Sequence, residues 1–593
     1  SGRWRGGEGS GFDRRDQCWA AAAAKRLLTN RKEACQRQLR CISAGYSVLE
    51  RHSGPSTMSS TTRHPGQLAL LDYQALPSVD NPCFSHLLVC STAPLEAERP
   101  YRHDLTPTDL DGTAQRFQQL RTDLSEFFKR QNTSGGPQHV RLVVRIHGYN
   151  VPLKSVRKEY ERAQQKFRDD AARLRESPPD DYVFFVHYAW PSERIGAGGP
   201  LCWISAMPMG LVLLFVVGSL FAFVGSSWLN VIGQLSLGIG ITLTLLRMVT
   251  YFRDRERAST FGVFDAVEMI RALHRLVKEN ISDASYLADL QSGKAQRISL
   301  SFLGHSMGTF LTTMLIRVLT NVFDADADAH LWDANEQSGP FGASSGCSAS
   351  SDASRLEKQR EQLAQIGDLF TLDRLILVAA DIPVWTITTG RSNYLASCLR
   401  RFRQTFLFVN DADMVLRLAS TLANYFVFPS GTRIGGFRLG NLSIKGRGRA
   451  QGYGKRVSDL SLLQLNSALR TENLCDDRIF SCQPWIGYSL NVIDCTDYDD
   501  DGRYLSAFTA CNALQRFLNY AATLIMLIAG SMKIGKIDCH GGYFRGSFCM
   551  NLLYELALYG DDNRDRELMA TEERLRHHKI SWIAVPSRPD ELP

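Results

Sequence analysis

Apolar and polar positions along this 593-residue chain follow two rhythms. Compact apolar runs of strand length occur at 85–91 (SHLLVCS), 139–146 (HVRLVVRI), 182–188 (YVFFVHY) and 297–303 (RISLSFL). Between them, VRKEYERAQQKFRDDAARLRES and TFGVFDAVEMIRALHRLVKEN place apolar residues at helical spacing under charged outer faces. Further strands are predicted at 374–380 (RLILVAA), 405–409 (TFLFV) and 489–494 (SLNVID). Strand–helix alternation of this kind predicts an α/β fold, a mostly parallel sheet covered by helices on both faces.

Three segments break the rhythm. From Ile195 to Leu246 there is no Asp, Glu, Lys, Arg or His. Within that run MGLVLLFVVGSLFAFVG and VIGQLSLGIGITLTLLRMV each approach the roughly 20 residues that span a bilayer, and GSSWLN (225–230) supplies a turn. An inserted transmembrane helical hairpin is the expectation, with a buried helical pair as the alternative. Arg247, Arg253, Arg255 and Arg257 flank its exit, which predicts a cytoplasmic location for the rest of the protein. Residues 323–367 form an acidic and Ser-rich insertion. Asp324, Asp326 and Asp328 are spaced like calcium-loop ligands, but Ala329 and Asn335 stand where such a loop needs Gly and Glu, so a solvated loop is expected. The third segment, 499–539, contains YAATLIMLIAGSM, too short to span a bilayer and read as a core or interfacial helix.

Composition narrows the classes. The 44% apolar and 22% charged content is that of a globular protein. A net charge of +7 comes from scattered Lys and Arg, which gives no nucleic-acid footprint. Fourteen dispersed cysteines lack metal-site spacing and favour a reduced compartment over a disulfide framework. Residues 1–57 are basic and of low complexity, with an alanine run at Ala20–Ala24, and the first methionine is Met58. They are expected to be a leader or a flexible extension outside the fold.

The candidate chemistry centres on Gly304-His305-Ser306-Met307-Gly308, directly after one predicted strand and directly before a predicted helix (TFLTTMLIRVL). A sharp strand–turn–helix brings backbone atoms together, so glycine is needed on both sides of the serine, whose hydroxyl then sits at the helix N-terminus. A serine needs a positioned base. Read in the order Ser, acid, His, only His540, His577 and His578 follow the candidate acids, and His540 in the loop KIDCHGGYFRG is preferred. Asp413, after the second strand beyond the nucleophile, is the first choice of acid, with Asp411 as its neighbour and Asp381 as the alternative. His147-Gly148-Tyr149-Asn150 follows the strand at 139–146. The amides of Tyr149 and Met307 are the expected oxyanion donors, with His147, Gly148 and Asn150 supporting that loop.

Taken together, RLVVRIHGYN, YAWPS (188–192), YFRDRERASTFG (251–262), FLGHSMG and VAADIPV resemble a group of α/β-hydrolases long classified as a domain of unknown function. That group is marked by an HG[FY]N loop, a WPS segment and a GHSMG elbow. NDADMVLRLAS followed by RIGG is similar to its D-x-A-L…S…R-x-G region, with Asp413 at the aspartate position. The resemblance covers roughly 85–560 with gaps. It implies an α/β-hydrolase fold and a serine hydrolase of esterase or lipase type, needing no metal and no organic cofactor. The chain departs from the group in the apolar hairpin, the acidic insertion and the long stretch before His540. The expected organisation is a leader at 1–57 and three hydrolase parts at 58–194, 251–322 and 368–593, with the hairpin inserted at 195–250 and the acidic insertion at 323–367. The expected partners are an ester or lipid substrate and a membrane. An acyltransferase or thioesterase with the same triad, and a catalytically silent membrane scaffold, are the alternatives.

Overall fold

The computed structural model describes residues 68–76, 83–95, 102–134, 139–169, 181–193, 227–281, 297–319, 366–383, 386, 398, 401–421, 438–442, 490–500, 502–509, 513–531, 537–560 and 572–583. The expected leader at 1–57, the first arm of the apolar hairpin, the acidic insertion with Asp324, Asp326 and Asp328, and the RIGG segment lie outside the described residues.

Nine strands form one sheet: β1 (Leu68–Leu76), β2 (Cys83–Ser91), β3 (His139–Ile146), β4 (Asp181–Ala189), β5 (Ile298–His305), β6 (Phe370–Val378), β7 (Gln404–Val409), β8 (Leu490–Asp494) and β9 (Ser581–Ile583). Their order is β1-β2-β4-β3-β5-β6-β7-β8-β9. The outermost pairs, β1 with β2 and β8 with β9, are antiparallel, and every pairing between them is parallel. The three predicted hydrolase segments thus contribute strands to a single mixed sheet of α/β type.

The alternation within the central strands explains their unbroken apolar runs. In β3 and β4, Val140, Leu142, Val144, Tyr182, Phe184 and Val186 enter one core layer, while Val143, Val183 and Phe185 enter the other. Successive side chains point to opposite faces, so a strand covered on both sides must be apolar throughout. The first layer is closed by helices α1 (Pro107–Ser134), α4 (Val263–Asn280) and α5 (Met307–Val318); the second by α2 (Leu153–Asp169) and α7 (Ser547–Tyr559). Helices α3 (Ser227–Arg257) and α6 (Ala513–Ser531) complete the set used below.

The sheet order reverses between β3 and β5, because the chain passes from β3 to β4 on one side and to β5 on the other. A crevice opens outside the carboxyl ends of strands at such a switch point. The HGYN loop and Ser306 both emerge there.

The hairpin expectation does not gain support. Its second arm is helical within α3, but among the described residues no helix is long and apolar enough to cross a membrane. Instead α3 runs on beyond the apolar stretch through a π turn (Ala258–Gly262) into α4. There the Tyr188 hydroxyl donates to the Gly262 carbonyl at 2.9 Å, a side-chain partner at a place where the regular ladder is interrupted.

Phe302, fully buried on the middle strand β5 and edge-on to Phe402 at 6.1 Å, carries a clear stability expectation. Phe302→Ala costs about 3–5 kcal/mol as measured by chemical denaturation.

Candidate active site

Ser306 is the residue on which β5 turns into α5. Its backbone has φ 54° and ψ −123°, a conformation that costs a non-glycine residue on the order of 1–3 kcal/mol and persists only where the surroundings enforce it. Among the described residues four non-glycines have positive φ, and Asn150, Ser306 and Ala379 all lie just past carboxyl ends of central strands. Strain is therefore concentrated at one edge of the sheet.

The flanking residues show why the turn holds. A Cβ on Gly308 would collide with the carbonyl oxygens of Ile146 and His147, the latter at 2.6 Å. On Gly148 it would meet Ser306 Cβ at 2.9 Å. The elbow and the HGYN loop therefore touch backbone to backbone, and both glycines are needed for close approach. The Ser306 amide donates to the Val378 carbonyl at 2.9 Å, and its carbonyl accepts from the Thr309 amide at 3.0 Å and the Thr309 hydroxyl at 2.6 Å.

The HGYN loop is held by residues from two other segments. His147 stacks on Trp190 with ring centroids 5.3 Å apart and planes 9° apart, and the Trp190 indole N–H donates to the His147 carbonyl at 2.8 Å. Burial pushes the His147 imidazole down to about 3, so it is a neutral structural ring. Asp254, completely buried at the end of α3, accepts from the Asn150 amide at 3.0 Å and from the Ser192 hydroxyl at 2.9 Å. Asn150 itself takes φ 58°, a conformation asparagine tolerates better than most residues. The WPS segment and YFRDR thus both support this loop. Tyr149 packs edge-on to Tyr251 at 5.6 Å, and Met307 is buried as the first residue of α5. Of the two residues expected to supply oxyanion amides, Met307 follows Ser306 at the start of α5 and Tyr149 follows Gly148, which lies against Ser306.

His540 lies beyond the described stretch that follows β8, in a turn organised by Asp538, whose carboxylate accepts from the amides of His540 at 3.3 Å and Gly541 at 2.8 Å. Its Nδ1 donates to Asp413 Oδ2 at 2.7 Å. The other oxygen of Asp413 accepts from the amides of Val415 and Leu416, each at 3.0 Å. This carboxylate is fully buried and fixed through both oxygens. Because a carboxylate only accepts, Nδ1 carries the proton and Nε2 presents its lone pair. His540 Nε2 and Ser306 Oγ are both buried and carry no hydrogen bond. Burial works against a charge on His540, but Asp413, with Asp538 and Asp381 behind it, outweighs burial and raises the pKa above the usual 6.5.

The alternative acid does something else. Asp381 lies 3.1 Å from the Arg438 guanidinium in an ion pair whose side chains are each 1% exposed. Arg438 also donates to the Tyr251 hydroxyl at 3.1 Å and the Ser420 carbonyl at 2.8 Å. Asp411 receives Arg417 at 2.8 Å. Of the three aspartates considered, Asp413 is the one bonded to His540. His578 is engaged elsewhere: its Nδ1 donates to the Asp499 carbonyl at 2.9 Å and its ring stacks on Phe548 at 3.9 Å.

Two residues absent from the sequence-based set shape the site. Asn410, completely buried, donates to the carbonyls of Cys539 at 2.7 Å and Leu505 at 3.0 Å, and accepts from the Ala412 amide at 2.9 Å. It ties the Asp413 loop to the His540 loop. Nothing in a single sequence marks an asparagine after a strand as a bridge. Arg438 was findable, since Arg438-Leu439-Gly440 also satisfies R-x-G just beyond RIGG.

Among the described residues no cluster of three His, Cys, Asp or Glu is placed to hold a metal. Set against known proteins, the chain matches no family model, no curated protein and no solved structure.

Removing one member of the buried pair leaves the other uncompensated, so Arg438→Met lowers stability by about 3–5 kcal/mol in denaturant titrations. A second expectation concerns pH. If His540 is the base expected from the sequence, it must be neutral to accept a proton, and activity rises with pH through a midpoint above 6.5. Asp413→Asn removes the outweighing attraction and leaves burial, so the residual activity, lower by about 10⁴-fold, titrates with a lower midpoint. A pH–rate profile of both proteins checks the sign.

Proposed function

We propose that this chain is a serine hydrolase of the α/β-hydrolase fold that cleaves carboxylic esters, of esterase or lipase type, and that it works at a membrane. The observation that carries the reading is the His540 Nδ1–Asp413 Oδ2 bond beside a serine held in strained backbone at a strand–helix turn. Strain, base and buried acid meet at the carboxyl edge of the sheet, where this chemistry needs them.

In the proposed reaction Ser306 Oγ attacks the ester carbonyl while its proton passes to His540 Nε2. Asp413 stabilises the imidazolium and keeps the ring oriented. The amides of Tyr149 and Met307 donate to the developing oxyanion. Collapse expels the alcohol with the proton from Nε2 and leaves an acyl-serine. Water, deprotonated by the same histidine, then releases the acid. The chemistry requires no metal or organic cofactor.

Membrane association is supported by two exposed apolar surfaces. On α3, Trp228, Val231 and Leu235 are 64–68% exposed, and on α6 Leu514, Phe517 and Ile525 are 65–68% exposed. The polar side of α6 faces inward, where Asn519 and Thr523 accept from the amides of Phe508 and Ala507. Patches of this kind mark interaction sites, and the uncharged run from Ile195 to Leu246 favours acyl chains held in a bilayer as substrates. The arginines after that run favour the cytoplasmic side for the hydrolase part.

A fluorophosphonate probe labels the wild type, and Ser306→Ala abolishes both labelling and hydrolysis of a short-chain ester. Labelling unchanged in Ser306→Ala overturns the reading, and labelling without turnover of any ester or thioester favours a silent scaffold.

A further inference from the structure

His305, the residue between Gly304 and the nucleophile, has a part in the site that the triad does not describe. It ends β5, paired with Val378 of β6. Its Nε2 lies 3.0 Å from the carbonyl oxygen of His540. The carbonyl can only accept, so Nε2 carries the proton and donates. The two imidazole centroids are 5.0 Å apart, tilted by 45°. On the other side of the ring, Nδ1 lies 3.4 Å from where a Cβ on Gly148 would stand. His305 is thus wedged between the loop carrying the base and the loop beside the oxyanion amide.

The carbonyl preceding that of His540, Cys539, is held by Asn410 from the acid's loop. That bond registers His540 to Asp413 but not to the serine. The His305 bond registers the same loop to the strand that carries the nucleophile itself. A misplacement of about 1 Å at a reacting pair can cost about 10²-fold in rate.

We propose that His305 is a positioning residue for His540: its Nε2–H holds the His540 carbonyl and so sets the imidazole at its working distance from Ser306. The inference rests on the serine-hydrolase reading of the site.

The charge state of His305 suits the role. Burial, the neighbouring His540 imidazole and Arg145 from β3 all push its imidazole down, to about 3, against the opposite pull of its bond to the His540 carbonyl and of Asp538. It stays neutral while His540 gains and loses its proton. A cation at this distance would oppose the imidazolium that forms during attack. Phe544 packs edge-on to the His305 ring at 5.3 Å and carries the Arg145 guanidinium on its face at 4.4 Å, which keeps that charge a ring's breadth away.

A crossed pair of substitutions separates the hydrogen bond from the packing. His305→Phe keeps an aromatic ring against Phe544 and removes the donor, whereas His305→Gln removes the ring and keeps an N–H near the position of Nε2. The expected result on a soluble short-chain ester is a fall in kcat of about 10²-fold for His305→Phe with KM unchanged, and recovery of about tenfold or more of that loss in His305→Gln. Fluorophosphonate acylation of Ser306 slows in parallel, and thermal midpoints confirm that both variants are folded. Equal loss in both variants, loss in His305→Gln alone, wild-type rates in both, or an effect confined to KM each overturns the proposal. Ester turnover that survives Ser306→Ala is the separate result that removes the underlying reading. Should His305→Phe not fold, His305→Leu takes its place in the same comparison with His305→Gln.

Discussion

The site depends on a backbone that does not want to be where it is. Ser306 occupies a region of φ/ψ space that L-residues avoid, and the cost is met only because everything around it is rigid. The turn is clamped between the end of β3 and the end of β6: Gly308 lies against the Ile146 and His147 carbonyls, and Val378 accepts the Ser306 amide. Such a clamp works only at the middle of a sheet buried on both faces. The two apolar layers that flank β3, β5 and β6 are therefore part of the site's chemistry as well as its stability.

Around that point, each remaining group is fixed by a contact from a different stretch of chain. Asp254 on α3 holds the HGYN loop, Asn410 joins the Asp413 loop to the His540 loop, and Arg438 with Asp381 secures the loop after β6. The ion pair is informative for its cost. Two charges withdrawn from water are rarely more stable than a well-packed apolar pair, so this arrangement is better understood as fixing geometry than as adding stability. Tyr251, bonded to Arg438 and packed edge-on to Tyr149, connects it to the opposite wall.

Much of this was legible in the sequence, and what was not has physical reasons. All seven strands expected from apolar runs are present, shifted by a few residues, because a doubly buried strand must be apolar along its whole length. The two edge strands were missed: β9 is three residues long, and LALLDYQAL in β1 mixes periods. Helix α1 was missed because its many polar positions leave only a thin apolar stripe, with Leu120 and Leu124 buried. Strand counting separated Asp413 from Asp381, since each strand end occupies a definite place across the crevice. The role of Asn410 was invisible, because its bonds join residues far apart in sequence. The apolar run of the hairpin was read from composition alone. Composition cannot tell that the helix formed by its second arm continues past its charged end into the fold.

That continuation has a mechanical consequence. From Trp228 to Asp254 the chain is one helix, about 40 Å long at the usual rise. Its far end exposes tryptophan and aliphatic side chains, while its near end supplies Tyr251 and Asp254 to the carboxyl edge of the sheet. A straight helix transmits tilt and rotation along its axis with little loss. Tilt at the exposed end is therefore felt at Tyr251 and Asp254, within the last two turns before the π turn that joins this helix to α4.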